Sequence, residues 1–335
     1  MVLRPGYLPH RRIRYPGQTF ADRRASSVAG MITAEHLTKS YGDKQAVEDL
    51  SFAVRPGVVT GFLGPNGAGK STTMRMLVGL DSPTSGRITI DGKLYRELPD
   101  PLRHVGVLLD ARAVHPGRSA YHHLLAVART HDIPVARVEG VLDLVGLSAV
   151  AHRRAGGFSL GMSQRLGVAT ALLGDPQVLV LDEPVNGLDP DGVLWIRRLL
   201  AGLAREGRTV FLSSHLMSEL ALIADDLVVI GQGRLLAAST AEDFVAGAGT
   251  GAVRVVSPQS GALAAALQGP GVTVTSVDGE TLEIHGIDAR DVGRIAAEHG
   301  VVLFELLTHR LTLEEAFMQI TQNAVEYRTH EEATR

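Results

Sequence analysis

Gly64-Pro65-Asn66-Gly67-Ala68-Gly69-Lys70-Ser71 spells G-x-x-x-x-G-K-S between an apolar run, Val58 to Leu63, and a helical pattern carrying Met74, Leu77 and Val78. A buried strand running into a glycine-rich turn and then a helix is the context this motif needs. The glycines let backbone N–H groups converge on an anion, and the helix aims the positive end of its dipole at the same point. Phosphate binding is therefore expected at Gly64, Pro65, Asn66, Gly67, Ala68, Gly69, Lys70, Ser71 and Thr72. Lys70 would neutralise the β- and γ-phosphates of a nucleotide, and the Ser71 hydroxyl would ligate Mg²⁺.

The rest of the chain is written in the same alphabet. Val47, Leu50, Phe52 and Val54 lie near a period of two, and short apolar runs recur at Arg87 to Ile90, Val105 to Leu109, Val178 to Leu181, Thr209 to Leu212 and Leu227 to Ile230. Helical patterns fall between them, such as Ile196, Leu199, Leu200 and Leu203. This rhythm predicts an α/β domain with a mostly parallel sheet. Ser119 to Gly174 holds helical patterns and no strand, which predicts an inserted helical subdomain over about 111–174. At the end of the run Val178 to Leu181 stand Asp182 and Glu183, two adjacent carboxylates that are costly to desolvate unless they receive a cation or a proton. Downstream of the phosphate loop they are assigned to catalysis: Asp182 to the Mg²⁺ shell, Glu183 to the attacking water as general base.

Composition limits the remaining classes. The 335 residues allow two domains, and the absence of cysteine excludes disulfides, thiolate zinc sites and a cysteine nucleophile. A net charge of −3 gives no general attraction to polyanions, so no nucleic-acid partner is expected. The longest apolar runs are far short of the roughly 20 residues that cross a bilayer. Residues 1–30 hold six arginines and one aspartate with no hydrophobic period, and read as a disordered basic extension; a transit peptide, or a functional start at Met31, are the other readings.

Gly247-Ala-Gly-Thr-Gly251 reads as a linker that closes a domain over 31–246. A strand at Ala252 to Val256, a helix at Gly261 to Leu267, a hairpin of Val272 to Val277 with Thr281 to Ile284, a helix at Asp288 to His299 and a strand at Val301 to Leu306 follow. Asp278-Gly279 would supply the positive φ of a two-residue turn in that hairpin. The order βαββαβ predicts a small α+β, ferredoxin-like domain over 252–322, with a tail at 323–335. A last helix would start at Thr312 with a Thr312/Glu315 capping box and pack Leu313, Ala316, Phe317 and Ile320 on one face.

Together these motifs resemble the ATP-binding subunit of ATP-binding cassette (ABC) transporters, over Met31 to about Leu236. The phosphate loop and Asp182-Glu183 correspond to the Walker A and Walker B motifs. Phe158-Ser159-Leu160-Gly161-Met162-Ser163-Gln164-Arg165 is similar to the family signature, usually Leu-Ser-Gly-Gly-Gln. The resemblance implies a P-loop ATPase core in which two copies sandwich two ATP molecules, the signature of one (Ser159, Leu160, Gly161, Met162) completing the phosphate site of the other. It implies that Asp189 lies in a D-loop at the dimer interface, that His215 is the switch histidine bonding the γ-phosphate and orienting Glu183 and water, and that Tyr41 stacks on adenine. A packing role for Tyr41 and a helix-start role for Asp189-Pro190 are the alternatives.

Two positions depart from the family pattern. Leu160 and Met162 replace a glycine and a glutamine, which leaves open a degenerate half-site, although the variant is similar to cassettes of antibiotic and peptide exporters. Asp110 stands where the family usually has a glutamine that touches Mg²⁺ and water. It could ligate Mg²⁺ or be an ordinary loop residue.

The resemblance thus implies an ATPase on the cytoplasmic face of the membrane, paired with itself and with a separate integral-membrane permease, exporting an antibiotic, peptide or drug-like compound. A soluble cassette ATPase acting on nucleic acid or ribosomes, and a resistance protein that sequesters its compound, are the competing readings. The C-terminal segment is similar to the accessory domain behind some exporter cassettes, where dimerisation or regulation is the default role.

Overall fold

The computed structural model describes residues 31–247, 251–308 and 311–318. The expected extension at 1–30, the tail at 323–335 and Ile320 lie outside them. In chain order the elements are β1 (Ile32–Tyr41), β2 (Lys44–Val54), β3 (Val59–Leu63), α1 (Lys70–Leu77), β4 (Ser85–Ile90), α2 (Pro101–His104), β5 (Val105–Leu108), α3 (Ala120–Thr130), α4 (Val135–Leu144), α5 (Leu160–Leu172), β6 (Val178–Leu181) and α6 (Pro190–Arg205). There follow β7 (Thr209–Ser214), α7 (Met217–Leu220), β8 (Asp226–Gly231), β9 (Arg234–Thr240), α8 (Ala241–Gly247), β10 (Val253–Val256), α9 (Ser260–Ala266), β11 (Thr273–Ser276), β12 (Thr281–His285), α10 (Ala289–Glu298) and β13 (Glu305–Thr308). A helix over 313–318, α11, closes the described chain.

The central sheet has the order β5-β6-β7-β3-β8-β9, parallel throughout except for β9, which runs antiparallel along β8. Strand β6 shows why its apolar run is continuous. Val178 and Val180 enter one core with Phe62, Phe211 and Phe52, while Leu179 and Leu181 enter another with Ile196, Leu200 and the residues of α5. Successive side chains leave opposite faces of a strand, so a strand covered on both sides must be apolar at every position. The first face is covered by α1 and by a separate antiparallel sheet, β2-β1-β4. Its centre is a cluster of Phe52, Phe62 and Phe211, with ring centroids 5.1–5.8 Å apart. Between β5 and β6 the described chain forms α3, α4 and α5 and no strand, only an isolated bridge from Ser119 to Arg154.

Neither β1 nor β9 was anticipated. Strand β1 is broken by bulges around His36, which has a positive φ of 48°, and the bulges scramble its alternation.

The C-terminal strands form a second antiparallel sheet, β11-β12-β10-β13, with α9 and α10 supplying Leu263, Val292 and Ala296 to its core. Two expectations are corrected here. Residues 278 and 279 do not take the positive φ of a two-residue turn; a longer loop joins β11 to β12, in which the Asp278 carboxylate accepts the N–H groups of Glu280 (2.9 Å) and Thr281 (2.7 Å). Asp278 thus closes the loop through its side chain rather than its backbone. The final strand begins at Glu305 and not at Val301. The stretch before it is tied by Ser257 and Gln259, which bond the backbone of Val302.

In α11, Thr312 and Glu315 form the expected capping box: Glu315 Oε2 accepts the Thr312 N–H (2.8 Å) and Thr312 Oγ1 accepts the Glu315 N–H (3.2 Å). Its Leu313, Ala316 and Phe317 are buried in the core shared by the central sheet and α5, not in that of the C-terminal sheet.

Candidate functional site

The parallel register brings the site together. Leu63 pairs with Ser214 and Leu181 with Leu212, so Gly64, Asp182 and Ser213-Ser214-His215 leave neighbouring strands at one edge of the sheet. This edge, at the carboxyl ends of parallel strands, is where open α/β sheets bind ligands.

The phosphate loop runs from β3 to α1 against other backbone. A Cβ at Gly64 would lie 2.5 Å from the Ile230 carbonyl oxygen, and one at Gly69, with φ of 104°, would lie 2.6 Å from that of Ala46. Only glycine fits at either position. Lys70 is 6% exposed, and its Nζ donates to the carbonyls of Gly64 (2.7 Å) and Pro65 (3.2 Å), with Glu183 Oε1 at 3.9 Å. Burial holds its ammonium below the usual lysine range, against the opposing pull of Glu183 and Asp182. Ser71 is exposed and Thr72 half-buried in the first turn of α1, where backbone N–H groups have no partner within the helix.

Asp182 and Glu183 are joined by a hydroxyl. Ser213 Oγ donates to Asp182 Oδ1 and accepts the backbone N–H of Glu183 at 3.0 Å. Glu183 has a φ of 50°, a left-handed conformation uncommon for a side-chain-bearing residue. Its Oε2 lies 2.8 Å from His215 Nδ1 and 3.4 Å from the His215 backbone nitrogen. An ionised carboxylate only accepts, so Nδ1 is the donor in this contact.

The signature and the D-loop form a second cluster. Ser159 caps α5, its Oγ accepting the Met162 N–H at 3.2 Å, and Asp189 caps α6, its Oδ1 accepting the Gly192 N–H at 2.9 Å with Pro190 in the first turn. The two helix starts touch: a Cβ at Gly187 would fall 2.1 Å from Leu160 Cδ2, and one at Gly161 would fall 3.4 Å from the Gly187 oxygen. Leu160, in place of the family's glycine, thus packs over a glycine in the neighbouring loop. Gln164, one turn into α5, donates from Nε2 to the carbonyls of Glu183 (2.9 Å) and Asn186 (3.2 Å).

Two expected residues stand apart. Tyr41 is 47% exposed at the end of β1, its hydroxyl donating to Asp81 Oδ2 at 2.8 Å, while Arg75 of α1 holds the same carboxylate. The ring therefore stands beside the helix that follows the phosphate loop. Asp110 is exposed after β5, and its Oδ1 accepts the Arg112 N–H at 2.8 Å. Among the described residues no contact joins it to Ser71 or Asp182.

Sequence reasoning missed Ser213 and Gln164. Ser213 could have been found as a polar residue at the end of an otherwise buried strand, where an unpaired hydroxyl would be costly. Gln164 stood inside the signature-like stretch Phe158 to Arg165 but was given no role of its own.

A glycine-built anion cradle between a parallel strand and a helix, with a lysine, a serine and two strand-end carboxylates around it, defines a P-loop nucleoside triphosphatase. The family described as ABC transporter matches residues 47–186, and a domain of unknown function matches 251–314. The chain is 43% identical over 209 residues to the bacitracin transport ATP-binding protein BcrA of Bacillus licheniformis, covering 62% of this chain and 68% of that protein. It is 34% identical over 296 residues to the Nod factor export ATP-binding protein I of Paraburkholderia xenovorans, covering 87% and 96%. A solved ATP-binding subunit of an ABC transporter superposes with a TM-score of 0.60 at 26% identity, covering 65% of this chain and 92% of that one. The chain belongs to the ATP-binding subunits of ABC transporters and is an ATPase of that family. None of its described helices is long and apolar enough to cross a membrane.

Proposed function

We propose that two copies of this chain close around two ATP molecules and drive a separate integral-membrane permease, at the cytoplasmic face of the membrane, that exports an antibiotic, peptide or drug-like compound. One observation carries the closure. Leu160 and Gly161 pack on Gly187 and Leu188, and among the described residues the signature makes no hydrogen bond to the phosphate loop of its own chain. Each copy so holds a loop for the nucleotide without the signature donors, and signature donors without a loop.

In this reading Gly64 to Thr72 bind the phosphates and Tyr41 stacks on adenine. Ser159 and the N–H groups that open α5 meet the γ-phosphate held by the partner. Asp189 lies at the interface between copies. Glu183 takes a proton from the attacking water, with His215 holding its carboxylate in place. The Ser71 hydroxyl and the Asp182 carboxylate are hard oxygen donors of the kind Mg²⁺ takes, and Asp110 is a further candidate. Mg²⁺, when bound, neutralises charge on the β- and γ-phosphate oxygens. Export and its cargo rest on the roles of the relatives, transport of bacitracin and export of Nod factor.

We further assign 111–174 to a helical subdomain and, of the expected 252–322, the strands and helices of 252–308 to a ferredoxin-like accessory domain, since α11 packs in the core of the central sheet. The order of its four strands, with the first and third central and all neighbours antiparallel, supports the latter.

Light scattering of Glu183→Gln with and without Mg-ATP tests the core of the proposal. A dimer that forms only with ATP, no measurable turnover, and loss of that dimer on adding Ser159→Arg are expected. Wild-type hydrolysis by Glu183→Gln would overturn the role of Glu183, and full-rate hydrolysis by a monomer would overturn the sandwich.

A further inference from the structure

Gln164 sits where a helix normally buries an apolar side chain. It is 5% exposed, on a helix whose other inward residues include Leu166, Val168 and Ala169. Burying an amide is costly unless hydrogen bonds replace its water. Here the amide is used on one side only. Nε2 donates to the carbonyls of Glu183 and Asn186, while Oε1 is buried with no donor among the described residues. Two carbonyl oxygens can be met only by the NH₂ end, which fixes the orientation of the amide. The side chain is therefore placed for the backbone it holds rather than for its own satisfaction.

That backbone is the turn that carries the general base. Glu183 is left-handed, its carbonyl also accepts the Asn186 N–H at 3.1 Å, and the same turn leads to Gly187, over which Leu160 packs. Ser159, at the start of the same helix, lies little more than one turn from Gln164, a distance over which a helix moves as a rigid body.

We infer that Gln164 is a positioning residue that ties the signature helix to the peptide of Glu183, so that engagement of Ser159 by the partner's nucleotide sets the carboxylate of its own site. This rests on the two-copy reading above. Each site would then be completed by the signature of one chain and readied by the signature of the other.

The test is a double-substitution cycle on kcat and KM for ATP in the full-length chain, with Ser159→Ala, Gln164→Met and both together. Loss of exact placement costs up to about 100-fold in rate, so Gln164→Met is expected to lower kcat by about 10–100-fold with KM and the unfolding midpoint little changed. The double variant is expected to fall within about threefold of the slower single one, because both act along one path. Gln164→Lys, which returns a donor to the two carbonyls, is expected to recover rate relative to Gln164→Met. If the methionine variant does not fold, Gln164→Asn, with its amide one methylene short, takes its place in the cycle. Wild-type kcat in the folded variant, losses that multiply, or a lysine variant slower than the methionine one would each overturn the inference. The ATP-dependent dimer of Glu183→Gln is scored separately. Dimer formation with multiplying losses rejects the role of Gln164 alone, whereas non-multiplying losses without a dimer reject the sandwich and the coupling to a partner's nucleotide with it, leaving only the tether from Gln164 to the Glu183 peptide.

Discussion

His215 Nδ1 and Glu183 Oε2 stand 2.8 Å apart across the edge of the central sheet, each delivered by the loop after a strand, β7 and β6. Through this contact the imidazole would restrain the carboxylate proposed as the base. His215→Ala is expected to lower kcat by at least about 10-fold, toward the 10²–10⁴ that a positioned general base supplies, with equilibrium ATP affinity changed by less than about threefold. Phosphate release and nucleotide binding, measured side by side, check this; an unchanged kcat sinks the role.

Gly187 has a φ of +75°, and its missing Cβ leaves room for Leu160. Gly187→Ala is expected to destabilise the fold by about 1–3 kcal/mol from the backbone alone, with the Leu160 clash added. Adding Leu160→Ala would relieve the clash and not the backbone strain. Thermal unfolding of the single and double variants reads the difference, and full rescue by Leu160→Ala would show that only the side chain mattered.

Tyr41 offers an exposed ring and uses its hydroxyl on Asp81. Stacking of a base on an aromatic ring is worth about 1–3 kcal/mol, so Tyr41→Ala should weaken ATP binding by roughly 5- to 150-fold. Tyr41→Phe, which keeps the ring, should stay within about twofold of wild type on the same footing. Equal losses in both variants would place the effect in the Asp81 bond instead.

Lys70 gives a pH dependence. Burial holds its pKa in the folded chain below the lysine value, so the unfolded chain keeps more protons in the window between the two. Its unfavourable contribution to stability is therefore present below the folded pKa and fades as pH rises through it. Nucleotide affinity runs the other way: as the free protein loses this charge, ATP binding should weaken at a pH below the ordinary lysine value of about 10.4. Titration calorimetry at rising pH checks the onset, and affinity that stays flat to that value contradicts it.

The legible parts of the sequence were those where one local pattern had a single physical solution. The loop Gly64 to Ser71, the runs feeding β3 and β6, the helix start at Pro190 and the cap at Thr312 stand where the residues placed them. Strand β1 was hidden because its bulges break the alternation by which half-buried strands are read. The turn at Asp278-Gly279 was misread because aspartate can close a loop with its carboxylate as well as with a positive φ. Ser213 and Gln164 act across sheet neighbours or across a helix-to-loop gap, so their partners are distant in the chain and no spacing announces them.

Helix α11 returns, after the C-terminal sheet, to lay Leu313, Ala316 and Phe317 into the core of the ATPase. The C-terminal sheet is therefore stitched to the enzyme by two seams rather than hung from one. A stop codon placed between them would strip an oily patch bare on the very body it was meant to isolate. Recombination that swaps this segment for another would have to preserve both joins at once.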